Sequence, residues 1–287
     1  MSSNLSLEKA PLRDRMIVYI GVVSVLLASW AYIIGMGWEM GTLPFISSSP
    51  TDGMQMDSMK MNMQDRSIVS SIITWMPPMS GAWLLTDFLF LFLMWAVMMI
   101  AMMTPSILPM VMLFTTLNSK NIRENKASAN AIYLLSGYLM SWILFSLVIT
   151  LPQYGLHKVG LLNPMMEPTH ALFGAFVLIG AGLYQFSSFK DACLSVCQSP
   201  LTFMMNNWKE GNLGAFVIGY KHGFYCVGCC WFLMLTLFAL GVMNIMWVVI
   251  LTLFVMFEKL SVKFPMQYRY TTGTIFIIWG LSIFYFQ

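Results

Sequence analysis

The residues best suited to chemistry in this chain form one short cluster of histidine and cysteine. His222, Cys226, Cys229 and Cys230 follow one another at spacings of four, three and one residue. Positions four and then three apart share one face of an α-helix, so His222, Cys226 and either of the last two cysteines converge. Imidazole and thiolate together are ligands for Cu(I) and Zn(II). The spacing therefore predicts a metal site for copper, with zinc as the second choice.

Two further cysteines precede this cluster and extend the same prediction. Cys193 and Cys197 are four residues apart, and all five cysteines of the chain lie between Cys193 and Cys230. A disulfide framework would instead spread paired cysteines over external loops. The clustering favours metal ligation. The alternative is that each cysteine serves as a small buried hydrophobe within a membrane helix.

Methionine is the second unusual residue type, with 28 copies among 287 residues. Its thioether is a soft, uncharged ligand that suits capture of Cu(I) at an oxidising face, where thiols would form disulfides. One polar stretch contains five alternating copies, which we predict to capture metal: Met54, Met56, Met59, Met61 and Met63. The alternative is a flexible loop whose methionines bind nothing.

A second group of methionines lies in an apolar segment. Met94, Met98 and Met102 are four residues apart and would form a ladder down one helix face, offering intermediate sites for the same ion. Ordinary packing explains the same stripe, because methionine fills gaps in protein cores. A weaker metal candidate is the pair Glu167 and His170, three residues apart at the predicted start of a later helix. An acidic residue there is also favoured by the helix dipole.

These residues must be positioned by helices in a membrane. The chain is 58% apolar and only 9% charged, whereas a soluble domain carries about a quarter charged residues. Apolar runs close to the roughly 20 residues that cross a bilayer predict an all-α, polytopic integral membrane bundle of seven helices. The predicted spans are 16–37, 88–117, 128–151, 168–186, 223–240, 242–257 and 270–286.

The distribution of positive charge predicts the orientation of this bundle. With a cytoplasmic N-terminal segment 1–15, twelve of the 15 lysines and arginines lie on the inner side, as the positive-inside rule requires. Residues 16–287 then form a single transmembrane domain in a cell membrane. It has a methionine-rich outer loop, 38–82, and a cytoplasmic cysteine-containing segment, 187–222. The short fifth and sixth spans form a re-entrant hairpin in the alternative arrangement.

Several functional classes lack support in the sequence. There is no phosphate-binding loop, no H-E-x-x-H zinc motif, no haem-attachment motif and no nucleophile elbow. The basic residues form no patch for nucleic acid. No acid–base pair is positioned in the membrane, so we predict no catalytic residues and direct catalysis is the least favoured function.

A series of longer motifs follows in one order along residues 80–262. They are Trp95…Met98…Ala101-Met102-Met103-x-Pro105-Ser106, Gly182-Leu183-Tyr184-Gln185, Lys190…Cys193…Cys197…Ser199-Pro200-Leu201, His222-Gly223-x-Tyr225-Cys226-x-Gly228-Cys229-Cys230-Trp231, Gly241-Val242-Met243-Asn244 and Glu258-Lys259-Leu260. The series resembles a family of predicted metal-binding integral membrane proteins, a domain of unknown function whose members are sometimes labelled copper-related. The resemblance implies that the cysteine and histidine positions matter.

Taken together, these patterns predict copper handling at the membrane. The chain is expected to pass Cu(I) across the bilayer or to deliver it to a partner, which would be a copper-dependent membrane enzyme or a copper chaperone. One alternative is an accessory or assembly subunit of a membrane copper oxidase or monooxygenase. The other is a structural membrane protein that binds no metal.

Overall fold

The computed structural model describes residues 12–39, 83–123, 130–163, 166–260 and 265–286. Over these ranges the chain is helical and has no β-strand, apart from an isolated bridge between Leu162 and Pro168. The helices are α1 Leu12–Glu39, α2 Leu85–Arg123, α3 Ala131–Lys158, α4 Ala171–Gln185, α5 Ser188–Gln198, α6 Pro200–Asn206, α7 Gly211–Leu235, α8 Leu237–Leu240, α9 Ile245–Leu260 and α10 Pro265–Tyr285. The predicted all-α helical bundle is confirmed.

Four stretches of helix in the described ranges are long and apolar enough to cross a membrane. They are Tyr19–Gly37, Leu85–Asn118, Ala131–Lys158 and Gly211–Leu240. A fifth is added if α4 and α5 form one broken span, since the two helices meet at a bend of 66°. The seven spans and the cytoplasmic N-terminus remain predictions.

The start of α7 differs from the predicted fifth span. The helix begins at Gly211, twelve residues before residue 223, and the membrane-length stretch continues through α8 to Leu240. Cys226 is therefore 15 residues beyond Gly211, which is about 22 Å along the helix axis. The cysteine cluster lies deep within the bundle, and residues 211–222 of the predicted cytoplasmic segment belong to the same long helix.

The first half of α7 is rich in glycine, which has a low intrinsic helix propensity. The stretch is helical because its glycines allow close packing against α3. A Cβ atom at Gly219 would overlap the carbonyl oxygen of Leu134, and one at Gly137 would overlap the carbonyl oxygen of Phe216. A Cβ at Gly223 would come within 2.8 Å of the Tyr138 carbonyl oxygen. Small residues let the backbones of membrane helices approach closely. Packing of α7 against α3 therefore stabilises the helix.

A buried arginine holds the bend between α4 and α5. The guanidinium of Arg269, on α10, donates hydrogen bonds to the carbonyl oxygen of Gln185 at 3.0 and 3.1 Å and to that of Ser187 at 3.1 Å. It also forms an ion pair with Asp191. Carbonyl groups that a helix end leaves without partners need such donors. Arg269 thereby fixes the direction in which α5 carries its two cysteines.

The contact between α3 and α7 gives a first prediction. Replacing Gly219 by alanine should lower the free energy of unfolding by roughly 1–3 kcal/mol, the usual cost of overpacking, because the new methyl group must separate the two backbones. Unfolding of the purified protein in detergent with increasing SDS measures the change. Gly155→Ala on α3 is the matched control, since a methyl group there would have no neighbouring side chain or helix within 4 Å. Equal loss of stability in both variants would contradict the packing explanation.

Candidate metal centre

Three cysteines of α7 lie together in the interior. Cys226, Cys229 and Cys230 are fully buried. The thiols of Cys229 and Cys230 donate to the carbonyl oxygen of Cys226 at 3.1 and 2.7 Å, and their sulfur atoms are 3.8 Å apart. The helical spacing places the sulfurs of Cys229 and Cys230 one turn beyond Cys226. All five cysteines of the chain are free thiols.

Helix α5 brings the other two cysteines to the same place. The Cys197 side chain lies close enough to those of Cys226 and Cys229 to interact with both. Cys193 packs against Gly228, where its sulfur lies 2.9 Å from the position that a Cβ atom would take. The absence of a side chain at Gly228 therefore makes room for Cys193 beside α7. We refer to these five residues as the cysteine cluster.

Cys226 belongs to a closed ring of polar contacts that unites four helices. The ammonium nitrogen of Lys259, on α9, lies 2.8 Å from the Cys226 sulfur and 3.0 Å from the Ser106 hydroxyl of α2. The Tyr138 hydroxyl of α3 completes the ring, at 2.9 Å from the Ser106 oxygen and 3.1 Å from the Cys226 sulfur. We call this arrangement the Cys226 ring. A buried lysine is costly in an apolar bundle, so this ring is a strong functional candidate.

His222 lies one helical turn before Cys226 and is also buried. Its imidazole packs between the rings of Tyr138 and Phe203, at centroid distances of 6.1 and 5.4 Å. The Nδ1 atom has no hydrogen-bond partner. Buried polar atoms are usually paired, so a ring nitrogen without a partner is available to a ligand. This observation fits a metal-binding role for His222.

The cysteine cluster is not arranged as a preformed metal cage. Among the described residues, no group of three or more histidines, cysteines, aspartates or glutamates has a geometry that could hold a metal ion. The cause is visible in the contacts, because Cys229 and Cys230 point to a backbone carbonyl and Lys259 contacts Cys226. Structural zinc requires four tetrahedral ligands. The described residues therefore give no support to zinc, and binding of any ion by these thiols would require them to rotate away from their present contacts.

The methionine ladder leads to the Cys226 ring. Met94, Met98 and Met102 are all buried on α2, and Ser106 occupies the next position four residues along the same ridge. Eight residues separate Met98 from Ser106, which corresponds to about 12 Å along the helix. The ladder and the cysteine cluster, which are far apart in the sequence, are thus linked through Ser106 and through the Lys259 and Tyr138 side chains that contact both Ser106 and Cys226.

The remaining predicted ligands are placed differently. Glu167 and His170 are exposed and precede α4, which begins at Ala171. The prediction that they lie at the start of a helix is wrong, because both precede it in a loop where the Glu167 backbone N–H donates to the Asn163 side-chain oxygen. Five predicted ligands lie outside the described residues: Met54, Met56, Met59, Met61 and Met63.

Comparison with protein families agrees with the chemistry of these residues. The family model described as "PpoB2: Copper chaperone" matches residues 92–283, which is 192 of the 287 residues. The chain belongs to this copper chaperone family. No curated protein and no solved structure matches it. The resemblance to a copper-related family of unknown function is therefore confirmed.

The copper chaperone match covers the cysteine cluster, the Cys226 ring and the methionine ladder, and it leaves out α1. It also covers a charged pair that the sequence patterns did not reveal. Lys190 of α5 and Glu258 of α9 are almost fully buried, with their charged atoms 2.7 Å apart, although the angles are not those of a hydrogen bond. The feature of the sequence that could have indicated this pair is the presence of two ionisable residues in apolar surroundings. Since Glu258 precedes Lys259, this pair fixes the end of α9 beside the Cys226 ring.

The buried pair gives a second prediction. Lys190→Met should lower the free energy of unfolding by about 3–5 kcal/mol, because it leaves the Glu258 carboxylate buried and without its partner. The double variant Lys190→Met/Glu258→Gln should recover much of this loss. Unfolding in detergent with increasing SDS measures both changes. Lys221→Met is the control, since Lys221 is exposed on α7. A double variant no more stable than Lys190→Met would contradict the claim that Lys190 and Glu258 stabilise the fold as a buried ion pair.

Proposed function

We propose that this chain is a membrane copper chaperone that accepts Cu(I) along the methionine ladder and holds it at the cysteine cluster. From there it delivers the ion to a copper-dependent membrane protein. Membership of a copper chaperone family supports the choice of metal. The soft donors agree with it, since thiolate and thioether select Cu(I).

The main support for this proposal is that the methionine ladder and the cysteine cluster are connected through Ser106. This residue follows Met102 on one ridge of α2, and its hydroxyl contacts Lys259 and Tyr138. Both of these side chains contact the sulfur of Cys226. An ion that leaves the methionine ladder therefore reaches Cys226 without crossing a further helix.

The contact between Lys259 and Cys226 suggests how the ion is accepted. A proton and Cu(I) carry the same charge, so the local charge stays unchanged if one proton leaves the Cys226 thiol or the Lys259 ammonium group when Cu(I) binds the Cys226 sulfur. Burial makes an unbalanced charge expensive, and a one-for-one exchange avoids that cost. The Lys259 side chain retains Ser106 as a partner, whose hydroxyl lies 3.0 Å from Lys259 Nζ. Lys259 thus supplies a positive charge that stabilises the arrangement around Cys226 before Cu(I) binds.

The other ligands follow from proximity to Cys226. The Cys197 thiol already contacts Cys226, and His222 presents a ring nitrogen without a partner one turn away. Rotation of Cys229 away from its carbonyl partner would add a further sulfur. Loop methionines Met54–Met63 would collect the ion on the outer face, where the exchange of weak thioether ligands is fast. Affinity that rises from thioether to thiolate favours movement towards the cluster.

Delivery is preferred to translocation because the family is described as a copper chaperone and the cluster is closed. Cys226, Cys229 and Cys230 have no exposed surface, which suits an ion held until a partner opens the site. The cell membrane is the proposed location, on the basis of the helices of membrane length.

The copper content of purified protein tests this proposal. After growth with copper, elemental analysis by mass spectrometry should find about one or more Cu per chain, and Cys226→Ser/Cys229→Ser should lose most of it. Ser146→Ala is the matched control, because Ser146 is a buried side chain that bonds only to its own helix at Trp142. It should retain copper.

Two results would contradict the proposal. Unchanged copper in the double cysteine variant would remove the cysteine cluster from the site. Absence of copper from the intact protein would favour a structural or assembly role without metal.

A further inference from the structure

A small cavity separates α1, α2 and the start of α9. It has a volume of about 20 Å³, and four of its nine lining residues are methionines, namely Met36, Met94, Met98 and Met243. The other five lining residues are aliphatic or glycine. Three separate parts of the chain therefore supply methionine side chains to one space.

The size and lining of the cavity limit what it can hold. A cavity of roughly 10–15 Å³ is the minimum for one water molecule, which also needs polar partners. Among the described residues, none that lines this cavity has a charged side chain, a hydroxyl or a side-chain amide, so neither water nor a hard cation finds suitable ligands among them. Thioether sulfur is a soft neutral donor that selects Cu(I). A single soft monovalent ion fits both the volume and the donor set.

Methionine side chains are unusual neighbours for an unfilled cavity. Methionine is unbranched and has flexible torsions, so it normally fills irregular spaces in a core. Met36, Met94 and Met98 are buried around this space, and Met243 is half-buried beside it. Four such flexible side chains can adjust their torsions around an ion that enters this space.

The position of the cavity connects it to the methionine ladder. Met98 lines the cavity, and Met102 follows it four residues along α2 towards the Cys226 ring. Met36 lies on α1, outside the residues that match the copper chaperone family. Met243 lies in the turn after Gly241, whose φ of 91° favours glycine. The cavity is thus the far end of the ladder from the cysteine cluster.

We infer that Met36, Met94, Met98 and Met243 form a thioether site that binds one Cu(I) ion before it moves along α2. This inference rests on the proposed function and adds a second, separate metal site to it. Helical spacing predicted Met94 and Met98 as ligands but offered no reason to include Met36 and Met243. Because thioethers stay uncharged, the site binds Cu(I) more weakly than the thiols and releases it to them.

The test uses the full chain with Cys193, Cys197, Cys226, Cys229 and Cys230 all replaced by serine, so that no thiol of the cysteine cluster binds the added ion. Cu(I) is titrated into the reduced protein in detergent, against a chromophoric Cu(I) chelator. This background should bind one Cu(I). Adding Met94→Leu/Met98→Leu should weaken the affinity for this Cu(I) ion at least tenfold. Adding Met36→Leu/Met243→Leu instead should weaken the affinity for the same ion. Leucine keeps a similar volume, which limits effects on folding.

The control is Met99→Leu, because Met99 is buried on α2 and does not line the cavity. It should bind Cu(I) as the background does. Binding that is unchanged in both double methionine variants would overturn the thioether site. If the intact chain still holds cysteine-dependent copper, the proposed function survives that result. If the intact chain binds no copper at all, both proposals fail.

Discussion

The close approach of α3 and α7 is the constraint on which the rest of the centre depends. Glycine at positions 137, 219 and 223 lets the two backbones touch, and the Ser141 hydroxyl donates to the Tyr220 carbonyl oxygen at 2.9 Å. This separation places the Tyr138 hydroxyl against the sulfur of Cys226. A wider spacing between the helices would break the contact between Tyr138 and Cys226 and so open the Cys226 ring.

Buried charge has a recognisable purpose in this bundle. Lys190 and Glu258 neutralise each other and fix the end of α9, whereas Lys259 contacts a hydroxyl and a cysteine sulfur in the Cys226 ring. Ionisable residues among apolar helices are costly and commonly mark an ion pathway. Lys190 and Lys259 therefore have different roles in the protein. One stabilises the fold, and the other provides a positive charge where the proposed function requires a cation.

Local patterns predicted part of this structure, and contacts between distant residues account for the rest. The spacing of Cys226, Cys229 and Cys230 was informative because helical geometry repeats every few residues. The contact of Cys226 with Lys259 spans 33 residues, so no local pattern reveals it. The start of α7 was predicted too late, since its polar and glycine residues are compensated by packing on α3. The helix predicted to begin at residue 168 begins at Ala171, so Glu167 and His170 both precede it.

The X-ray absorption spectrum of the copper-loaded protein at the copper edge tests the cysteine cluster most directly. We expect Cu(I) with sulfur neighbours, and a loss of sulfur neighbours when Cys226 and Cys229 are replaced by serine. Because thiol and thioether ligands select the monovalent ion, the metal should remain Cu(I) after loading. A spectrum of Cu(II) with only nitrogen and oxygen neighbours would contradict the claim that this chain holds copper at its cysteine cluster.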